Sequence, residues 1–150
     1  MDWITRLAHQ RDREKERTQQ FDREIIELWE SLKDRLKAYR DAYARLYPPG
    51  HADLEARYDG TTNPQAPVFT CMNRDGTGAF TIEKCRVALS QTGAVFKANY
   101  STALPEILLT VINTEDGHAV VQHNSREISL DRVCELILRP MLFDDLPEES

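Results

Sequence analysis

The chain has 150 residues, of which 41% are hydrophobic and 29% are charged, with a formal net charge of −6 at pH 7. This length and composition suit one domain with a hydrophobic core and exclude the disordered class. The net negative charge argues against a dedicated nucleic-acid-binding protein, which presents a strongly basic surface. The charge is uneven, because residues 1–47 carry 11 basic and 10 acidic side chains, whereas residues 48–150 carry 8 and 15. We therefore expect no nucleic-acid partner.

The first predicted element is a long amphipathic helix over residues 1–47. No Gly or Pro occurs between Asp2 and Tyr47, and Pro48 and Pro49 then end the helix. At about 100° per residue, one narrow apolar stripe runs along it, with spacings close to those of a coiled-coil heptad. The members of the stripe are Phe21, Ile25, Leu28, Trp29, Leu32, Leu36, Tyr39, Tyr43 and Leu46.

Residues 9–20, HQRDREKERTQQ, form a polar interval in this stripe. Trp3 and Leu7 lie on the stripe beyond the interval, so the helix is predicted to continue through it. The basic side chains of the interval are scattered around the helix, whereas a helix that binds nucleic acid or a membrane gathers them on one face. Local ion pairs are expected instead. The candidate pairs are Asp12–Lys15, Glu14–Arg17 and Arg23–Glu27.

A helix of this length measures roughly 65 Å, whereas the remaining residues form a body only about 35 Å across, so one end must project. The stripe can pack on its own sheet, on a second copy, or on both. Trp3, Ile4 and Leu7 would be exposed on a lone monomer, and such exposure suggests a partner. We expect a homodimer, or a complex with another protein. The predicted interface residues are Trp3, Leu7, Phe21, Ile25, Leu28, Leu32, Leu36 and Tyr39.

Residues 48–66 are predicted to be a linker loop, with one helical turn or a short strand around 53–58. An antiparallel β-meander of five or six strands follows, because short β-prone runs alternate with turn sequences and no connection is long enough for a parallel crossover. Asp-Gly dipeptides at 75–76 and 116–117 are strong hairpin signals. The predicted strands are 68–73, 80–90, 95–101, 107–113, 119–123 and 127–129.

The last predicted element is a helix that follows Ser129, a suitable N-cap, and ends at Pro140. Its apolar residues recur at helical spacing and are predicted to pack on the sheet. The meander and this helix form one unit over residues 67–143, and residues 144–150 form an acidic tail. The predicted fold class is therefore α+β, with a long N-terminal helix, a β-meander and a C-terminal helix.

No motif in the chain predicts a catalytic or metal site. His118 and His123 project from opposite faces of one predicted strand, so they cannot share a metal ion. Cys71, Cys85 and Cys134 form no CxxC motif, which indicates buried free thiols in a reducing compartment. A nucleophilic Cys–His pair stays open, since its partners can meet in the fold, but no motif favours it. We predict no catalytic residue, no metal and no cofactor.

Neither a secretory signal nor a membrane span is predicted. The first residues run directly into charged positions, and the longest strongly apolar run, 107–112, is too short to cross a bilayer. We expect a soluble, cytoplasmic protein without a membrane partner.

The leading hypothesis for function is a non-enzymatic, homo-oligomeric module that binds proteins through the long helix, the sheet face or both, as an adaptor or a chaperone-like protein. The alternative is a small-ligand-binding domain or an enzyme, with a pocket between a curved sheet and the helices. A deep pocket lined by converging polar groups would favour that alternative. In element order the chain is similar to pleckstrin-homology-like modules, and small acidic α+β secretion chaperones resemble it in bulk properties.

Overall fold

A computed structural model describes residues 2–48, 54–61, 64–74, 80–89, 95–101 and 104–143. The elements within them are α1 (Asp2–Leu46), β1 (Leu54–Asp59), β2 (Val68–Arg74), β3 (Phe80–Leu89), β4 (Val95–Tyr100), β5 (Ile107–Asn113), β6 (Ala119–His123), β7 (Arg126–Glu127) and α2 (Leu130–Leu142). The predicted α+β class is confirmed, with a long N-terminal helix, an antiparallel sheet and a C-terminal helix.

The strands form one sheet in the spatial order β1 to β7, and each strand pairs antiparallel with its neighbours in the sequence. Successive side chains point to opposite faces of such a sheet. In β4, Phe96 and Ala98 are buried, whereas Lys97 and Asn99 are exposed. The buried residues of the strands and of both helices belong to one core cluster. The core therefore lies between one face of the sheet and the two helices.

α1 is continuous over 45 residues, because no Gly or Pro interrupts it. Its second half packs on the sheet. The Trp29 ring lies 5.6 Å from the Phe96 ring on β4, between centroids. Leu32 and Leu36 are completely buried. The apolar stripe of the sequence is therefore, over this half, the face that covers the sheet.

Polar side chains fix the flank of α1 that lies nearest to β1. Nζ of Lys33 donates a hydrogen bond of 2.8 Å to the backbone oxygen of Pro64. Nε of Arg40 donates one of 3.1 Å to the backbone oxygen of Ala56. These bonds satisfy loop and strand carbonyls beside the helix, so they set the position of α1 across the sheet.

β1 lies in the predicted linker segment, and the described residues form seven strands rather than the predicted five or six. Its sequence, LEARYD, alternates apolar and charged residues, which is the pattern of a strand with one buried face. Ala56 is buried, and the Tyr58 ring lies 5.0 Å from the Phe69 ring on β2. The composition of the segment resembles a loop, and only its alternation indicates a strand.

α2 begins as predicted, since the Ser129 side chain accepts a hydrogen bond of 3.2 Å from the backbone N–H of Arg132. The predicted end at Pro140 is wrong, because the helix continues to Leu142. A proline in the last turn removes one backbone donor. The burial of Met141 in the core and a bond of 2.9 Å from the N–H of Phe143 to the oxygen of Arg139 offset this loss.

The turn predicted at Asp116-Gly117 is confirmed. The N–H of Gly117 donates to the oxygen of Thr114 at 2.9 Å, and Gly117 has a φ of 83°, which favours glycine. The two-residue loop between β6 and β7 also has positive φ at both positions, as type I′ hairpins require. The predicted turns at 75–78 and 91–93 and the acidic tail 144–150 lie outside the described residues.

Truncation of Leu32 tests the packing of α1 on the sheet. Leu32 is 0% exposed, so Leu32→Ala leaves a cavity and should lower the free energy of unfolding by about 2–5 kcal/mol. Ile26 lies on the same helix and is 57% exposed. The control Ile26→Ala should change the free energy by no more than about 0.5 kcal/mol. Urea denaturation measures both, and equal losses would contradict the burial of this stripe.

Candidate functional site

The first part of α1 extends beyond the body of the protein. Every residue from 2 to 19 is exposed, and this segment is termed the arm. Three of its side chains are large and apolar, with exposed fractions of 60% for Trp3, 46% for Ile4 and 50% for Leu7. The arm therefore presents to solvent the apolar residues that precede the polar interval.

Trp3 and Leu7 continue the face by which α1 packs on the sheet. When residues are placed at about 100° intervals around the helix axis, both fall on the apolar stripe that also contains Leu32. This stripe covers the sheet along the second half of α1 and is exposed to solvent along the arm. The arm thus carries apolar residues on the side that faces the core in the second half of α1, but here this side is exposed.

Hydrogen bonds within the arm follow the helix. Nε2 of Gln10 donates to Oε1 of Glu14 at 3.4 Å, and the Thr18 hydroxyl donates to the backbone oxygen of Glu14 at 3.0 Å. Among the described residues, the three predicted ion pairs of this region are not formed. They are Asp12–Lys15, Glu14–Arg17 and Arg23–Glu27. The physical reason is that a fully solvated pair gains little over hydration of its separate charges.

The base of the arm is held by the turn between β5 and β6. Oε1 of Glu24 lies 3.0 Å from Nδ1 of His118, and Oε2 accepts a hydrogen bond of 2.9 Å from the N–H of Ala119. These contacts are termed the latch. Gly117 also approaches α1, since a Cβ there would lie 3.8 Å from Oε1 of Gln20. The turn therefore marks the point at which α1 leaves the body.

Each partner of the latch shifts the pKa of the other. The hydrogen bond to Glu24 and the charge of that carboxylate raise the pKa of His118, and Asp116 acts in the same direction. The hydrogen bond from His118 lowers the pKa of Glu24, and the N–H of Ala119 and the charge of Arg23 contribute to the same effect. The latch is therefore a charge-assisted hydrogen bond whose strength depends on pH.

The latch predicts a pH window of maximal stabilisation. A histidine with a raised pKa stabilises the fold fully below its ordinary value of 6.5 and loses this contribution as the pH rises through the folded value. A glutamate with a lowered pKa stabilises the fold fully above its ordinary value of 4.5. It loses this contribution as the pH falls through the folded value. The wild type should therefore exceed His118→Gln in free energy of unfolding by the largest amount between pH 4.5 and 6.5.

Urea midpoints at about pH 5.5 and about pH 9 measure this difference, which should be larger at the lower pH. His9→Gln removes a histidine from the arm, outside the latch, and serves as the control that leaves both midpoints unchanged. If the urea midpoint of His118→Gln fell further below that of the wild type as the pH rises, this result would contradict the assigned direction of the pH dependence.

A groove runs between the last two turns of α1 and the length of α2, with a volume of about 700 Å³ and a mostly apolar lining. Ala42 and Leu46 line it from α1, and Leu138 and Leu142 line it from α2. Leu46 is 75% exposed, so the groove is open to solvent. This surface is termed the helix groove.

A polar cluster borders the helix groove at the first turn of α2. Nη1 of Arg35 lies 2.7 Å from Oδ1 of Asp131, and the Tyr39 hydroxyl donates to the same oxygen at 3.0 Å. The bonds from Arg35 and Tyr39 lower the pKa of Asp131. The bond to Asp131 raises the pKa of Tyr39. These polar groups bind one another, so they join α1 to α2 across one end of the groove.

The predicted interface residues fall into three groups in the structure. Three are buried in the core of their own chain, namely Ile25, Leu32 and Leu36. Two are partly buried against that core, namely Phe21 and Leu28. Three are exposed, namely Trp3, Leu7 and Tyr39. The first group is covered by its own sheet, so an interface through those three residues is not compatible with this fold.

The three cysteines are free and buried, as predicted. Burial raises the pKa of Cys85 to about 12 and that of Cys134 to about 12. The hydroxyl of Tyr100, which neighbours Cys85, donates to the backbone oxygen of Ile137 at 2.5 Å. A thiol with such a pKa is protonated at neutral pH and is a poor nucleophile. Cys85 and Cys134 therefore lend no support to a catalytic Cys–His pair.

Across the described ranges, no three His, Cys, Asp or Glu side chains cluster so that they could hold a metal ion. In the same part of the chain, no helix combines the length and the apolar character needed to cross a membrane.

No family model, no curated protein and no solved structure matches the chain. The geometry of the arm, the latch and the helix groove therefore carries the functional interpretation.

The sequence does not predict the helix groove. Tyr39, Ala42 and Leu46 do lie at helical spacing on one flank of α1, beside the buried stripe. Nothing in that spacing identifies α2 as the neighbouring element. The groove results from how the two helices lie side by side on the sheet, which is a tertiary property.

Proposed function

We propose that the protein is a non-enzymatic, homo-oligomeric interaction module, adaptor or chaperone-like in role, that contacts a second copy through its arm. The observation that carries this proposal is the exposure of Trp3, Ile4 and Leu7 on a helical segment whose residues are all exposed. Contiguous apolar groups in solvent are typical of interaction sites.

Burial of these side chains supplies the driving force for association. Removal of one large apolar side chain from water contributes about 1.5–3 kcal/mol. Tryptophan is among the residues most enriched at the energetic centre of interfaces. Trp3 is 60% exposed, so most of its surface is available for such burial.

The arm is well prepared for binding, because it is part of a helix whose second half is fixed in the core. The latch at Glu24 holds the helix where it leaves the body. A partner that binds a preformed helix orders few additional residues, and this lowers the entropic cost of association.

Light scattering coupled to size-exclusion chromatography tests the proposal. The wild type should show the mass of an oligomer. Trp3→Glu combined with Leu7→Glu should reduce the mass to the 17.3 kDa of one chain, because a carboxylate is strongly unfavourable in an apolar interface.

The matched control places two carboxylates on the opposite side of the arm, through Ala8→Glu combined with Gln19→Glu. This variant should keep the mass of the wild type. Circular dichroism confirms that both variants are folded. A folded Trp3→Glu, Leu7→Glu protein with the mass of the wild type would overturn the proposal.

The small-ligand alternative is favoured by one observation, the helix groove of about 700 Å³, since small-molecule sites have volumes in this range. The groove lies between two helices, whereas the alternative places a pocket between a curved sheet and the helices. The charged side chains of its lining are engaged with other side chains. Asp131 binds Arg35 and Tyr39, and Glu135 binds Arg132 and Arg139. A wild type that is monomeric at all concentrations would remove the leading proposal and favour this one.

We also propose a cytoplasmic location. The support for it is the burial of three free cysteines, which suits a reducing compartment.

A further inference from the structure

We infer that the arm of one copy lies antiparallel to α1 of a second copy and places Trp3 and Leu7 in that copy's helix groove. This inference rests on the proposed function and names the surface that the arm contacts. The partner is a second copy of this chain, and the contact is reciprocal.

The arm cannot reach the helix groove of its own chain. Trp3 lies in the first turn of α1, Leu46 is its last residue, and the helix between them is uninterrupted. At 1.5 Å per residue the two residues are roughly 65 Å apart. An arm that occupies a helix groove must therefore belong to another copy.

The two surfaces match in chemistry. The helix groove is lined largely by apolar side chains, among them Ala42, Leu138 and Leu142. Trp3 and Leu7 are at least half exposed. Insertion of the arm removes apolar surface from water on both sides at once, so it stabilises the complex in proportion to the combined area.

The spacing of residues on the two helices fits an antiparallel register. Leu7 lies four residues after Trp3, and Ala42 lies four residues before Leu46. When Trp3 lies opposite Leu46, Leu7 therefore lies opposite Ala42. Residues four apart share one face of a helix, so both contacts form on the same side.

The same register pairs the polar interval of the arm with polar residues of α1. It places Gln10 opposite Tyr39 and Glu14 opposite Arg35. Opposite charges then face each other. Arg35 already binds Asp131 through Nη1, and a guanidinium has five N–H donors, so a second carboxylate can be bound.

Phe21 and Leu28 occupy the centre of this register. Phe21 of each copy lies opposite Leu28 of the other copy, and a two-fold axis relates the two contacts. Both are only partly buried in the single chain. A two-fold arrangement is closed, so neither arm and neither helix groove is left uncovered.

Charge favours contact between an arm and another body. The arm, residues 2–19, carries 5 basic and 4 acidic side chains, for a net charge of +1, and residues 20–150 carry 14 and 21, for a net charge of −7. Contact of an arm with a second body joins regions of opposite net charge. Contact between two bodies joins two acidic surfaces, which repel each other.

Disulfide cross-linking of two full-length variants tests the register. Leu7→Cys and Ala42→Cys are mixed with oxidised glutathione and analysed on a non-reducing gel. The mixture should give a cross-linked dimer in roughly tenfold higher yield than a mixture of Ala8→Cys with Ala42→Cys, because a disulfide forms only over a narrow range of Cα separations. The native cysteines are buried, which keeps the background low.

The outcomes separate this inference from the proposed function. An oligomer that cross-links Leu7→Cys with itself, or that cross-links in none of the mixtures, would contradict the antiparallel register and leave the proposed function standing. A wild type that light scattering shows to be monomeric would overturn both.

Discussion

The packing of one apolar stripe of α1 on the antiparallel sheet is the interaction on which the rest of the structure depends. Trp29, Leu32 and Leu36 are buried at the centre of the core. The other elements are placed relative to this contact, because α2 joins α1 through Asp131 and the turn between β5 and β6 joins it through Glu24. The contact uses only the second half of a 45-residue helix, so the first half extends into solvent.

The polar interval of the arm has a physical role in this arrangement. An exposed helix with a fully apolar face would associate with many surfaces, whereas a face that combines a few apolar anchors with charged and amide groups limits association to partners that match both. Trp3 and Leu7 supply the anchors, and Gln10 and Glu14 supply the polar groups. In the proposed dimer, the interval lies opposite the polar flank of a second α1 and helps to determine the register.

Local patterns made the elements of this fold predictable, whereas the neighbours of each element depend on tertiary packing. The absence of Gly and Pro predicts α1. The charges of LEARYD obscure β1, whose alternation alone indicates a strand. The burial of Met141 extends α2 past Pro140. An apolar stripe has the same pattern whether a sheet or a second copy covers it, so the sequence could not decide which surface covers Leu32 and Leu36.

Hydrogen–deuterium exchange at several protein concentrations tests most directly whether the arm is exposed in one chain and buried between copies. At low concentration, amides of residues 2–19 should exchange much faster than those of residues 25–43, which tertiary packing covers. At higher concentration, protection should increase together in residues 2–14 and 35–46 and stay constant in β4. An arm that exchanges equally fast in the oligomer, or whose protection does not change with concentration, would contradict the account.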